Sequence, residues 1–476
     1  MRAVATVLLA IAVSAGAGGS PAGRAEAAPR EWATGGVQPI GQPIAVGGTV
    51  VGFVLRDKHV YARGMDPADG SLRWEREVTS SKQAGGIELL PQRVGDAVTF
   101  LEPQPRRGVW WARAVVVDAA TGQVRQSSPA ALFRTTPHTC FGDRAVCVMA
   151  QLTAGQKMTA YRLDLVTGDF STYTRNTVPT TARYLGAHGL IDLGGRPAVE
   201  EIGVLRDGVV RWHRPLADAF PAGFSTDWGW NWTLYEKHGV YAGSVFGHGV
   251  RAGTTLDRDL HADSGSAGLD EKTGAVLWHE VGTVVGCAGQ VPLRDEAVRC
   301  RVHGREHIVR APLSFTVKDL DVVLEGFDPR TGRTTWSVPM GASEQLGGLV
   351  NRAAVAGAHA IVARHGDGGP RLIDLTGGTV TTPTGGSAFW CLTQAGFDFY
   401  EATDQPLEGP LRFRRVGDNV ATACDADGSP VASGSPSPDA WQAVGAVAAG
   451  YAVVGTATGY RGMAVPAGAY RGGGRR

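Results

Sequence analysis

Asp66-Pro-Ala-Asp-Gly70-Ser-Leu-Arg-Trp74, Asp270-Glu-Lys-Thr-Gly274-Ala-Val-Leu-Trp278 and Asp328-Pro-Arg-Thr-Gly332-Arg-Thr-Thr-Trp336 share one spacing: Asp, then Gly four residues on, then Trp four further. Composition alone gives roughly 0.1 such match by chance, so three copies mark an internal repeat. Placed on the glycine, the series extends to Gly70, Gly122, Gly168, Gly208, Gly274, Gly332, Gly378 and Gly428, about 51 residues apart on average. That period suits a four-stranded propeller blade. Asp stands four before the glycine at Asp66, Asp118, Asp164, Asp270, Asp328 and Asp374, and Trp four after it at Trp74, Trp212, Trp278 and Trp336. An Asp opening a turn accepts a nearby backbone N–H, and the glycine supplies a positive φ. A Trp four residues into the next strand offers a broad apolar face and one donor, fit for packing between adjacent sheets.

The segments entering these turns read as short strands: Val50 to Leu55, Val60 to Gly64, Ala114 to Val117, Thr159 to Leu163 and Val322 to Phe327. They are rich in Val, Leu and Tyr and bounded by Gly, Asp and Pro. Helical periodicity is nowhere sustained beyond a turn or two. The expected fold class is all-β: a β-propeller of four-stranded antiparallel blades, eight in number, with seven or nine as alternatives. After Gly428, strands within Ala440 to Ala467 lack a following Asp–Gly turn, so a strand from Trp32 to Val46 is expected to complete that blade and protect the sheet edges.

The runs Gly268-Leu-Asp-Glu-Lys-Thr-Gly-Ala-Val-Leu-Trp278 and Gly326-Phe-Asp-Pro-Arg-Thr-Gly-Arg-Thr-Thr-Trp336 resemble the tryptophan-docking repeat of the PQQ-like β-propellers. The resemblance spans Val37 to Ala467. It implies a superfamily that holds quinoprotein alcohol dehydrogenases, a propeller lipoprotein of outer-membrane assembly, and exported propellers without known activity, so it specifies fold more than ligand. Many of the dehydrogenases carry adjacent cysteines beside PQQ and calcium; this chain has no adjacent cysteines and no motif on which their acidic base can be placed. No cofactor is expected.

Met1-Arg2, the apolar run Ala3 to Ala17 and the small-x-small site Ala25-Glu26-Ala27 read as a signal peptide over residues 1–27. A linker over 28–36, the propeller over 37–467 and a Gly/Arg tail over 468–476 follow. No Cys near the cleavage site offers a lipid anchor, and no apolar run approaches the 20 or so residues a membrane helix needs. A secreted, monomeric product without stable membrane insertion is expected. Lys plus Arg at 46 against Asp plus Glu at 45 disfavours nucleic acid as a partner. Six cysteines suit an oxidising compartment; local turns point to Cys140–Cys147 and Cys287–Cys300, which leaves Cys391–Cys424 to pair by default, with free buried thiols or a different pairing as the alternatives.

Chemistry is harder to place. His303-Gly-Arg-Glu-His307 has the spacing of an inverted zincin, but the flanking residues read as two strands around a turn, so a solvated turn is expected and no metal site. Asp257-Arg-Asp-Leu-His-Ala-Asp263 reads as an exposed acidic loop rather than a calcium loop, because the EF-hand glycine and terminal glutamate are missing. No Gly-x-Ser-x-Gly elbow is present. Trp228, Trp230 and Trp232 alternate, which in a strand puts them on one face; they are either packing between blades or an aromatic platform for a glycan or protein of the cell envelope. Trp110-Trp111, beside the turn after Pro105, forms a second aromatic cluster. The function expected is a non-catalytic binding or scaffold module, with a quinone-dependent dehydrogenase or a polysaccharide-acting enzyme as the alternative. N-terminal sequencing of the exported product is expected to start near Ala28; an intact Met1 in a membrane-inserted form would refute the signal reading.

Overall fold

A computed structural model describes residues 31–466 except 58, 82–89, 109, 141–143, 174–182, 186–188, 195–199, 207–208, 254, 288–295, 311–312, 344–352, 367, 395–418 and 433. Both the expected signal segment and the Gly/Arg tail lie outside the described residues. The protein is a β-propeller built from four-stranded antiparallel meanders. The first runs from Gln38–Val46 through Thr49–Arg56 and His59–Met65 to Leu72–Val78. Further units end on Val124–Ser127, Phe170–Thr172, Val209–Pro215, Val276–Val281, Thr334–Ser343 and Val380–Thr381. A closing unit combines Ala446–Ala448, Tyr451–Thr456 and Gly459–Ala464 with the N-terminal strand Glu31–Ala33.

The repeated turn lies between the third and fourth strands. In all six copies with Asp, the glycine N–H donates to the Asp carbonyl at 2.8–3.0 Å. The Asp carboxylate accepts the N–H two residues on at 2.8–3.1 Å. Each glycine has φ between +68° and +77°, where a Cβ is disfavoured. Just before four of these turns the ladder skips a residue, at Gly64/Met65, Val116/Val117, Gly268/Leu269 and Gly326/Phe327.

The glycine has a second task. The indole of the preceding unit lies against it, so that a Cβ on Gly122 would enter the ring of Trp74, on Gly274 that of Trp212, on Gly332 that of Trp278 and on Gly378 that of Trp336. Each indole N–H then donates to the carbonyl three residues before that glycine: Trp74 to Ala119 at 2.8 Å, Trp212 to Glu271 at 2.9 Å, Trp278 to Pro329 at 2.7 Å and Trp336 to Leu375 at 3.1 Å. On the other face of Trp74, Trp278 and Trp336 lie the strand glycines Gly64, Gly268 and Gly326 of their own sheets. In the second unit Gln126 takes the tryptophan position, and its amide reaches the Leu165 carbonyl at 3.5 Å beside Gly168.

Trp32 completes the series. Its N–H donates to the Pro67 carbonyl at 2.9 Å and its ring sits between Gly462 and Gly70. Residues 31–33 are therefore strand and docking residue, not linker: the apolar ring cannot stay in water when two glycines leave a slot for it. Around the same seam, Gln42 bonds both the N–H and the carbonyl of Gly455 at 2.9 and 3.0 Å, and buried Tyr460 donates to the Phe53 carbonyl at 3.1 Å. Val50, Val54, Met65, Ala446, Val453 and Tyr460 form the core between the closing and first units.

Gly428 departs from the series. Its N–H bonds Asp425, one residue nearer than the repeat requires, and no side chain approaches it. It follows the hairpin Phe389–Gln394 and Asn419–Cys424, which pairs with Ala354–Gly357 and, through one parallel bridge, with Tyr451–Thr456, fusing the seventh and closing units into a ten-stranded sheet. The short helix Pro438–Val444, capped by Ser437, packs here with Trp441 edge-on to Trp390 at 4.8 Å. All three expected disulfides are present, with Cα separations of 5.9, 5.7 and 5.9 Å.

Two outcomes follow from this geometry. Trp278, 8% exposed, is expected to cost about 3 to 5 kcal/mol when replaced by Ala, through lost transfer energy and a cavity; an unmoved denaturation midpoint would contradict the docking role. Hydrogen bonds from Arg125 hold the Asp118 carboxyl down at about 2, and backbone N–H groups lower Asp66, Asp164 and Asp374. A lowered carboxyl stabilises the fold above its unfolded pKa, and that contribution disappears as pH falls through the folded value. Acid titration of Asp118→Asn is therefore expected to show less loss of stability between about pH 4 and pH 2 than the parent.

Candidate functional site

Antiparallel pairing sends the connections after the first and third strands of each unit to one side and the others to the opposite side. The first side carries the Asp–Gly turns and two-residue links such as Gly47-Gly48, with one longer link, 286–297, in the sixth unit. The opposite side carries the longer excursions, including 104–111 and 248–263, together with the outer half of the hairpin Val298–Arg310 and Leu313–Phe327. Loops on a rigid scaffold are where binding residues concentrate. This side is the candidate functional face.

On it, the segment 248–263 leaves the fifth unit and pairs with the sixth. Val250–Ala252 and Thr255–Asp259 form a hairpin whose second strand runs antiparallel to the outer half of Val298–Arg310. Asp257 to Asp259 is thus strand, not loop, and Leu256 opposite Ile308 supplies the apolar pair that draws it there. Asp259 uses its carboxylate on the N–H groups of His261 and Ala262 at 3.0 and 3.1 Å. The sequence 303–307 also lacks the expected turn: it lies within one 13-residue strand, with a bulge at Gly304, φ +129°, absorbing the irregularity. His307 pairs with Asp257 at 2.7 Å, Glu306 with Arg258 at 3.0 Å, and His303 stacks on His261 at 4.4 Å. The two histidines of the zincin-like spacing thus have different partners.

Deeper in the sixth unit, Glu325 accepts from Arg299 and Arg301, each at 2.8 Å, and Arg299 is 1% exposed. Burial pushes the Glu325 carboxyl up, but the hydrogen bonds from Arg301 and Arg299 outweigh it and leave it below the usual range. A carboxylate so engaged is a structural ion. All six cysteines are in disulfides, none between neighbours in sequence, and among the described residues no group of three His, Cys, Asp or Glu side chains is placed to hold a metal ion.

Strand Phe224–Tyr235 carries the alternating tryptophans. Trp232 is buried, 4% exposed, over Gly243 and edge-on to Phe220 at 6.1 Å. It is therefore core and no part of an exposed platform, because the missing Cβ of Gly243 leaves a slot that the ring fills. The ladder shifts between Ser225 and Trp230; the side chains of Trp228 and Trp230 lie outside the described residues. Beneath the start of this strand, buried Asp192 and Glu200 both contact the Thr226 hydroxyl, Asp192 at 2.9 Å. Sequence reading missed this cluster, since its three residues are distant in the chain and share no motif spacing.

No protein-family model matches the chain, and no curated protein does. Among solved structures, it is similar to BamB from Moraxella catarrhalis (16% identity over 75% of this chain and 96% of that one, TM-score 0.36). It is also similar to a europium-containing methanol dehydrogenase (12% identity, 91% and 92% covered, TM-score 0.38). A third likeness is to the β-propeller domain of the Trilobed protease from Pyrococcus furiosus (12% identity, 74% and 97% covered, TM-score 0.34).

Proposed function

We propose that this chain is an exported, non-catalytic β-propeller of eight four-stranded blades, presenting its long-loop face to a protein or glycan of the cell envelope. The observation that carries this reading is the state of its acidic groups. Asp259 is committed to backbone N–H groups of a turn, and Glu306 and Glu325 to arginines, so the carboxylates in and beside the motifs that suggested chemistry serve as ties between strands. A general acid or base has to take up and release a proton, which a carboxylate held ionised by such donors does poorly. A tied surface of this kind suits recognition better than turnover.

Three disulfides support an oxidising compartment, where such bonds persist. No helix among the described residues is long and apolar enough to cross a membrane. With Trp232 in the core, Trp228 and Trp230 are what is left of the proposed aromatic platform. Immobilised mature protein is expected to retain one envelope protein or glycan, and Trp230→Ala to weaken that capture while changing stability by no more than about 0.5 kcal/mol. Large destabilisation with undiminished capture would end the platform reading; turnover of a polysaccharide or of an alcohol with added quinone would end the non-catalytic one.

A further inference from the structure

Residues 104–108 and 110–111 stand on the long-loop face of the second unit and include two arginines that hold no carboxylate. Arg56, Arg63, Arg76, Arg113, Arg125 and Arg301 each hold a carboxylate. Arg106 and Arg107 are exposed, and neither guanidinium has an ion-pair or hydrogen-bond partner. The neighbouring carboxylate, Glu102, is occupied by Arg76 and Arg113. Trp110 and Trp111 are half-buried, and their indole N–H groups are neither bonded within the protein nor sealed from water. The loop thus offers four side-chain donor groups and no acidic side chain.

It is also held in shape. Gln104 N–H donates to the Trp111 carbonyl at 2.7 Å, Arg107 N–H to Gln104 at 2.9 Å and Trp111 N–H to Gly108 at 3.0 Å. From outside the loop, Ser81 donates its hydroxyl to the Trp110 carbonyl at 2.6 Å while accepting from Phe133 N–H at 2.9 Å. Ser81 is 2% exposed and sits at φ +51°, a conformation a serine adopts only when its surroundings impose it. Strain of that kind persists where a fixed arrangement is held, and a preset loop loses little freedom on binding.

We propose that this loop is a subsite for an anionic saccharide: Arg106 and Arg107 take a carboxylate or phosphate group, and the indoles of Trp110 and Trp111 take the adjoining sugar ring. Guanidinium forks match planar or tetrahedral oxyanions with paired hydrogen bonds. Indoles supply rigid apolar area beside a donor, suited to the C–H face and hydroxyl edge of a sugar. An eight-residue loop falls short of the roughly 800 Å² per partner that a specific protein interface buries, so a short saccharide is the better-matched occupant. The inference rests on the binding reading above and narrows its ligand.

Calorimetric titration of the mature protein with a uronic-acid polysaccharide, a phosphodiester-linked polyol polymer, neutral dextran and poly-glutamate tests it. Binding of either anionic polysaccharide without dextran binding is expected, and which of the two binds identifies the anion. Arg106→Ala/Arg107→Ala is expected to weaken it about tenfold, a size in keeping with exposed charge pairs plus their hydrogen bonds, with an unchanged melting temperature. Trp110→Ala should weaken polysaccharide binding too. Anionic polysaccharide binding unaltered by the arginine variant, or poly-glutamate binding that is as tight and indifferent to Trp110→Ala, overturns the proposal. Loss of glycan capture in Trp230→Ala with both loop variants unaffected overturns it while leaving the glycan-receptor reading intact; wild-type protein that captures no envelope material removes that broader reading.

Discussion

An indole laid on a glycine holds this protein together. Apart from the pairing that joins the seventh and closing units, the described sheets share no ladder hydrogen bonds with their neighbours, so cohesion between them must come from side chains. The repeated solution places a tryptophan from one fourth strand on the turn of the next sheet, with its N–H on a turn carbonyl and its ring over a glycine. The contact is apolar in area and polar in direction, so it fixes both distance and rotation. It also makes the turn glycine doubly demanding, since any side chain there would meet the left-handed backbone and the indole together. The flanking strand glycines Gly64, Gly268 and Gly326 follow from the same need for flat room.

This economy explains what the sequence could reveal. The Asp–Gly–Trp spacing is local, and local spacing is readable: the turns at Asp66, Asp270 and Asp328, the propeller class and the disulfides Cys140–Cys147 and Cys287–Cys300 follow from residues close in the chain, and Cys391–Cys424 from what those two pairs leave. Trp32 docks as the others do, yet no Asp–Gly turn precedes it, because its sheet is assembled from both ends of the chain. Gln126 shows the converse: a docking position filled by an amide, visible only once the geometry identifies Leu165 as its acceptor. At Gly428 a glycine at nearly the right period serves a shorter turn, a one-residue difference that spacing alone does not weigh.

Functional readings fared differently, for a physical reason. Periodicity tells which face of a strand a residue occupies but not whether that face meets water. Trp232 alternates with Trp228 and Trp230 and is nonetheless core, because Gly243 opposite makes space for it. The segment 257–263 reads as a loop and 303–307 as a turn, whereas residues 257–259 and 305–307 are pairing partners across the boundary between two units. The cluster of Asp192, Glu200 and Thr226 has no sequence signal at all. The loop 104–111 was legible as an aromatic cluster; the unpaired state of its arginines required knowing where every nearby carboxylate had gone.

The seam between the chain's two ends has a mechanical consequence. Glu31 pairs with Met463 and Ala33 with Arg461, so both ends leave the ladder at the same edge. Tension applied through both ends would peel this strand pair one hydrogen bond at a time, the weak direction of a β-ladder, rather than shear all its bonds together. Tension on one end against a distant loop would load the sheets across their width instead. Drawn apart by these two strands, the ring would open at this clasp first.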